Sequence, residues 1–309
     1  SAPFAEPGIA SGSAVSFTWI YDTTSTGLVA FSGYADYYDA DGLKQTLPVI
    51  TQPVEIQLPM SIASDVAAPV TVNNGQLFTV TMTVTNTGGA NADAVTPYLV
   101  SMTASGAPDI TLTNVINPVD DIGAGFGHTF QFIYSANQSG TLYFSGYATA
   151  VDENTGLTRA SSWSDRRYVT VQEPAALSVA SFTAYPPTVT REQFVTITLS
   201  VTNTGDAAVT GVTPYIYNSN GSLVTLVSGA SPALSVAGHS SVDFTWTYSA
   251  AATGTLNFSA GCQGADINSG LVIYSGGSAE VPVTIIEKQA ILTSQLIIKP
   301  ALAGFNQQV

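Results

Sequence analysis

The sequence predicts an all-β chain, folded as tandem antiparallel β-sandwich repeats of about 113 residues each. Three observations lead there. Apolar and polar residues alternate with a period of two over many short runs, clusters of turn-forming residues separate those runs, and the same motifs return at nearly one spacing along the 309 residues.

The strands come first. Phe78, Val80, Met82 and Val84 alternate with Thr79, Thr81, Thr83 and Thr85, and Val195, Ile197, Leu199 and Val201 alternate with Thr196, Thr198, Ser200 and Thr202. A period of two gives a strand one apolar face and one wet face. Val242, Phe244, Trp246 and Tyr248 make another such face, and Leu256 with Phe258 a third. β-Branched Thr on the outer face suits a pleated sheet and keeps it soluble without ions. Asn86-Thr87-Gly88-Gly89, Asn203-Thr204-Gly205-Asp206 and Asn218-Ser219-Asn220-Gly221 supply residues that tolerate positive φ and are expected at hairpin tips. No segment of ten or more residues carries a helical period. About seven short strands per repeat is the pattern of an immunoglobulin-like sandwich.

The repeat sets the domain plan. Ser16-Phe17-Thr18-Trp19-Ile20-Tyr21 returns as Thr129-Phe130-Gln131-Phe132-Ile133-Tyr134 and as Asp243-Phe244-Thr245-Trp246-Thr247-Tyr248, with 113 and 114 residues between Trp19, Phe132 and Trp246. Val84-Thr85-Asn86-Thr87-Gly88 and Thr96-Pro97-Tyr98 return at an offset of 117 as Val201-Thr202-Asn203-Thr204-Gly205 and Thr213-Pro214-Tyr215. Residues 1–59 carry the later half of a repeat, residues 60–174 and 175–289 are complete, and residues 290–309 resemble the opening strand of a following copy, with Pro300 matching Pro187. Such a chain reads as a window on a longer array. A rival reading makes the tail a strand donated to a neighbouring subunit, although the two end fragments together still lack two strands of a repeat. In that tail Ile291, Leu292, Leu296, Ile297 and Ile298 are apolar enough to need a partner strand. The junctions Gln57-Leu58-Pro59 and Gln172-Glu173-Pro174 are short, which favours a semi-rigid rod.

Composition excludes several functions. With 7 Lys and Arg against 21 Asp and Glu, the net charge is −14, and no cationic surface exists to displace counterions from nucleic acid or to hold an anionic membrane. Charged residues make up 9% of the chain, against roughly 25% in ordinary soluble domains, so hydroxyls and amides must supply the wet surface. Cys262 stands alone and cannot form an internal disulfide, which points weakly to a prokaryotic source. No apolar run approaches the ~18–20 residues of a membrane span. The chain opens Ser1-Ala2-Pro3 without Met, as processing or truncation would leave it.

The Val-Thr-Asn-Thr-Gly hairpin, the Thr-Pro-Tyr motif and the Phe-x-Trp-x-Tyr strand together resemble the CARDB-like and conserved-repeat immunoglobulin-like domains of bacterial and archaeal surface proteins. The resemblance covers nearly the whole chain and carries no catalytic residue. It implies an extracellular, cell-surface location and a role as a stalk, filament or surface-layer-type spacer. An adhesive or glycan-binding module is the alternative. The expected partners are neighbouring repeats or identical subunits, with surface glycans under the alternative. No enzyme activity and no cofactor other than calcium are expected.

Candidate sites are few. An acidic turn recurs as Asp152-Glu153-Asn154-Thr155-Gly156 and Asp266-Ile267-Asn268-Ser269-Gly270, with Asp39-Ala40-Asp41-Gly42 in the first copy. Asp-x-Asn-x-Gly resembles the start of a calcium loop, which makes Asp39, Asp41, Asp152, Asn154, Asp266 and Asn268 candidate ligands. The same residues also serve a hairpin turn in which Asp accepts backbone N–H bonds. Both readings stay open on sequence alone. Asn137, Asn220 and Asn257 fit the glycosylation pattern, with Asn220 at a hairpin tip and Asn257 facing outward. His128 and His239 each follow a Gly in near-equivalent turns. Tyr34, Tyr37, Tyr38 and Trp163, with Arg166 and Arg167, could form a carbohydrate platform, yet adjacent Tyr37 and Tyr38 face opposite sides of a strand, so one is expected in the core. Cys262, four residues past inward Phe258, is expected to be a buried thiol.

Overall fold

The computed structural model describes residues 8–289 together with 292, 294, 295 and 305. Their regular structure is strand, with one short 3₁₀ turn at Gly221–Leu223.

Residues 175–289 form two facing sheets. One runs Leu177–Tyr185, Phe194–Asn203, Ser241–Ala250, Val224–Ser228. The other runs Thr188–Thr190, Val281–Ile286, Gly254–Asp266, Val209–Asn218, Ala233–Val236, with Val272–Tyr274 added beside Gly254–Asp266. The pairings are antiparallel apart from the parallel contact of Thr188–Thr190 with Val281–Ile286. The alternating faces meet between the sheets: Val195, Ile197, Leu199 and Val201 pack with Phe244, Trp246, Leu256 and Phe258 in one core. Each such side chain contributes about 1.5–3 kcal/mol on burial. Cys262 lies fully buried in the same cluster.

Residues 60–174 build a second core from the matching positions, including Val80, Met82, Val84, Phe130, Phe132 and Phe144. Here the expected seven short strands are not seen. Two long strands, Ala92–Ile116 and Gly127–Asp152, pair along nearly their whole length and pass from one sheet into the other. The start of Gly127–Asp152 pairs with Leu77–Asn86, and its later part pairs with Arg167–Gln172. The cause is local chemistry. The Asn218-Ser219-Asn220-Gly221 turn of one repeat is replaced by Ser101-Met102-Thr103-Ala104 in the other. None of those four carries the positive-φ preference that breaks a strand. The crossing itself is made at Gly106 and Gly140, both at positive φ, and a Cβ on Gly140 would fall 2.7 Å from Pro108 Cδ.

Residues 8–59 repeat half of this plan. Gly27 pairs with Ile56 as Gly140 pairs with Val171 and Gly254 with Ile285. A hydroxyl clip recurs three times: Ala35, Ala148 and Cys262 each donate the backbone N–H to Thr46, Ser161 and Ser275 Oγ at 2.9, 3.0 and 2.9 Å. What differs is cover. Trp19 is 49% exposed, whereas Phe132 and Trp246 at the matching position are each 5% exposed. Tyr37 and Tyr38 are both exposed, against the expectation that one is core, because the hairpin Asp36–Asp39/Gly42–Gln45 has no sheet packed on it. In the tail, Leu292 is almost fully exposed and outside any strand, while Ile291, Leu296, Ile297 and Ile298 lie outside the described residues.

Candidate functional site at the joints between repeats

The most polar buried features of the protein lie where one sandwich meets the next. They begin with the acidic turn. Asp152 and Asp266 end their strands fully buried. Asp152 Oδ1 accepts the N–H groups of Asn154 and Thr155 at 3.1 and 2.9 Å, and Asp266 Oδ1 accepts those of Asn268 and Ser269, both at 2.9 Å. That is the Asx-turn chemistry expected of Asp-x-Asn-x-Gly. The other carboxylate oxygen turns outward to the linker. Asp152 Oδ2 accepts from Met60 N, and Asp266 Oδ2 from Ala175 N, each at 2.8 Å.

A second side chain holds the next residue. Asn86 and Asn203, expected at hairpin tips, are instead fully buried. Asn86 Oδ1 accepts from Gly88 N at 3.0 Å and from Ser61 N at 3.4 Å, while its Nδ2 donates to the Ala90 and Ile122 carbonyls at 2.8 and 3.2 Å. Asn203 accepts from Gly205 N and Ala176 N at 3.2 and 3.1 Å and donates to the Ala207 carbonyl at 2.8 Å. Two consecutive backbone N–H groups at the start of each complete repeat are thus clamped by an Asp and an Asn from different loops. The Gly of the Asn-Thr-Gly motif is required by close approach. A Cβ on Gly88 would lie 2.5 Å from Met60 Cα, and one on Gly205 would overlap the Pro174 carbonyl.

The acidic turn also reaches backward across the junction. Asn73 Nδ2 donates to Asp266 Oδ1 at 2.7 Å, Thr71 Oγ1 to Asn268 Oδ1 at 2.7 Å, and Gln76 Nε2 to the Asn268 carbonyl at 3.3 Å. Asn268 Nδ2 in turn donates to Asn73 Oδ1 at 2.8 Å and Gln172 Oε1 at 3.0 Å. The preceding joint has the same closing contact, from Asn154 Nδ2 to Gln57 Oε1 at 2.9 Å. Asp206 joins the clamp: its Oδ2 accepts from Glu173 N at 3.1 Å, and its Oδ1 meets His239 Nε2 at 2.7 Å. A cavity of about 190 Å³ sits at this seam between Asn74, Gly75, Pro174 and Leu271.

These bonds set the charge state. The Met60 N–H, with help from Thr155 and Asn154, holds the Asp152 carboxyl below the ordinary carboxylate range against the opposing effect of burial. For Asp266, burial pushes upward most strongly, but the donors Ala175, Ser269 and Asn73 together hold the carboxyl low. Asp206 is also lowered, first by its hydrogen bond to His239. All three are therefore anions at neutral pH.

The remaining candidates are scattered. Asp39 and Asp41 share an exposed turn in which Asp41 N donates to Asp39 Oδ1 at 2.8 Å. Among the described residues no three His, Cys, Asp or Glu are placed to hold a metal ion. Asn220 caps the 3₁₀ turn through Ser222 N, exposed Asn137 donates to Thr111 at 2.9 Å, and Asn257 is half-buried and donates to Glu280 at 2.8 Å. Trp163 packs at a tilt against Tyr147 and is remote in sequence and sheet from Tyr37, so the expected platform is not assembled. Arg166 lies over the Tyr143 ring at 4.6 Å, while Arg167 pairs with Asp65 at 3.0 Å. His128 meets Asp120 at 2.7 Å.

Sequence reasoning missed the receiving side of the joint: Thr71, Asn73, Gln76 and Gln172. One signal was present. Gln57 and Gln172 both stand two residues before the linker proline.

No family model matches the sequence, nor does any of the curated proteins. Among solved structures, the chain is distantly similar to the CARDB domain of a Pyrococcus furiosus protein in complex with di-metal ions, at 16% identity, covering 37% of this chain and 89% of that one with a TM-score of 0.26. It is similar to domains 4 and 5 of the S-layer protein SbsC at 14% identity, covering 49% of this chain and 68% of that one, TM-score 0.27. The Yersinia pseudotuberculosis adhesin InvE matches at 15% identity over 74% of this chain and 60% of its own, TM-score 0.25. The likeness is one of β architecture, and a distant one.

Proposed function

We propose that this chain is a non-catalytic spacer segment of an extracellular cell-surface stalk, filament or surface layer, whose work is to hold successive sandwiches at a set angle. One observation carries it: the Asp266–Gly270 turn of one sandwich is hydrogen-bonded to the Thr71–Asn73 strand and the final strand of the sandwich before it, through Asn73 and Gln172. A chain of beads on flexible string needs no such contacts. Five bonds across one junction (from Thr71, Asn73 and Gln76, and two from Asn268) restrict the hinge that a short linker would otherwise leave. Each is worth about 0.5–1.5 kcal/mol, more where the carboxylate accepts. The parts that recur between copies are core and joint residues, as expected of a module whose function is mechanical.

The test is a distance distribution between spin labels at exposed positions 112 and 234, one in each complete sandwich. The parent should give one narrow peak, and Asn73→Ala with Asn268→Ala should broaden it while the circular-dichroism spectrum of the folded protein stays that of the parent. A broad distribution in the parent protein would remove the spacer reading.

A further inference from the structure

The two complete sandwiches carry the same outer-sheet site in two states. In the first, Tyr98 pairs across strands with Tyr147 and stacks on it at 4.9 Å, and Trp163 packs against Tyr147 at a tilt with 4.7 Å between ring centroids. Tyr147 and Trp163 occupy the middle of the site and leave a smaller cleft of about 330 Å³ beside Val100 and Ser145. In the second, Tyr215 stands where Tyr98 does and pairs with Gly261, the counterpart of Tyr147. The counterpart of Trp163 is Gly277. The correspondence is fixed by hydrogen bonds: Ser164 N donates to the Gly146 carbonyl as Ser278 N donates to that of Ala260. Two rings are thus deleted together. Tyr215 settles against the sheet, its Cζ 2.7 Å from where a Cβ of Gly261 would lie. Above it opens a cleft of about 670 Å³, bordered by Tyr217, Tyr274, Gln263, Ser259 and Gly277. That volume lies within the range of about 300–1,000 Å³ usual for small-ligand sites.

The wall changes with the filling. Where the first sandwich has Val100, Thr149 and Ala160, the second has Tyr217, Gln263 and Tyr274. Small side chains leave room for the protein's own half-exposed rings. Phenols and an amide suit a ligand with a flat C–H face and a rim of hydroxyls. None of the residues lining the cleft is charged, so the ligand is neutral. We propose that this cleft binds a neutral pyranose unit of a glycan, with one sugar face on the Tyr215 ring and its hydroxyls on Gln263, Tyr217 and Tyr274. The role is independent of the joint.

The experiment is calorimetric titration of the full chain with a panel of neutral hexasaccharides of glucose, mannose, galactose and N-acetylglucosamine, and separately with N-acetyltryptophanamide as a protein-ring mimic. At least one hexasaccharide should bind, and Gly277→Trp should weaken it by roughly tenfold or more by restoring the missing ring. Space for that ring exists, since nothing lies within 4 Å of a Cβ at Gly277. Tyr215→Ala should weaken binding as well, whereas Trp163→Gly should not. An unresponsive panel, sugar binding untouched by Gly277→Trp, or binding of the tryptophan mimic alone would each overturn the proposal.

Discussion

At the scale of single residues, the decisive groups are carboxylates without a cation beside them. Among the described residues Asp266 has no ion pair, and it is held as an anion by N–H donors from three separate segments. Replacing it with Asn would set an amide donor against those donors. Asp266→Asn is expected to cost about 2–3 kcal/mol, the range for stranding buried polar groups, read from denaturant midpoints. The pH dependence has a definite sign. A folded-state value below the unfolded one, about 3.9, means that the carboxylate's contribution is complete above that pH and fades as pH falls through the lower folded value. Stability should therefore be flat from about pH 5 to about pH 8 and drop in acid, with a shallower drop in Asp266→Asn. A midpoint that instead rises below pH 4 would contradict this account. The turn role of Asp266 was legible in Asp-x-Asn-x-Gly. Its reach to Asn73 was not, because a contact 193 residues distant leaves no local pattern.

At the scale of elements, alternation revealed the strands and missed their joining. The Phe78–Val84 and Val195–Val201 faces lie where a period of two puts them. The long Ala92–Ile116 and Gly127–Asp152 pair departs from the expected pattern of about seven short strands per repeat. A missing Asn-Gly turn is a weak signal, while its consequence is a strand of 26 residues. Gly140 and Gly254 hold the same register position but differ in surroundings. A Cβ at Gly140 would meet the Pro108 backbone N at 2.8 Å, whereas one at Gly254 would meet the tip of Leu223 at 2.9 Å. A flexible tip yields and a backbone does not. Gly140→Ala should thus destabilise its sandwich by about 2 kcal/mol or more, and Gly254→Ala by less, as φ strain alone requires. Equal losses would mean that the crossing is not tightly packed.

At the scale of the whole molecule, the repeat spacing was the plainest feature of the sequence, since motifs 114 to 117 residues apart become the matching cores. The relation between those cores was less plain, because it depends on which side chains of one copy meet the linker of another. Among the inward positions at which the two sandwiches differ, Cys262 replaces Ala148. Burial both seals that sulfur and pushes its thiol pKa up. The lone cysteine is therefore a built-in clock for one sandwich out of an otherwise repetitive chain. A thiol dye should leave the native protein unmodified, take up one equivalent in denaturant, and at intermediate conditions report how often that sandwich alone breathes open.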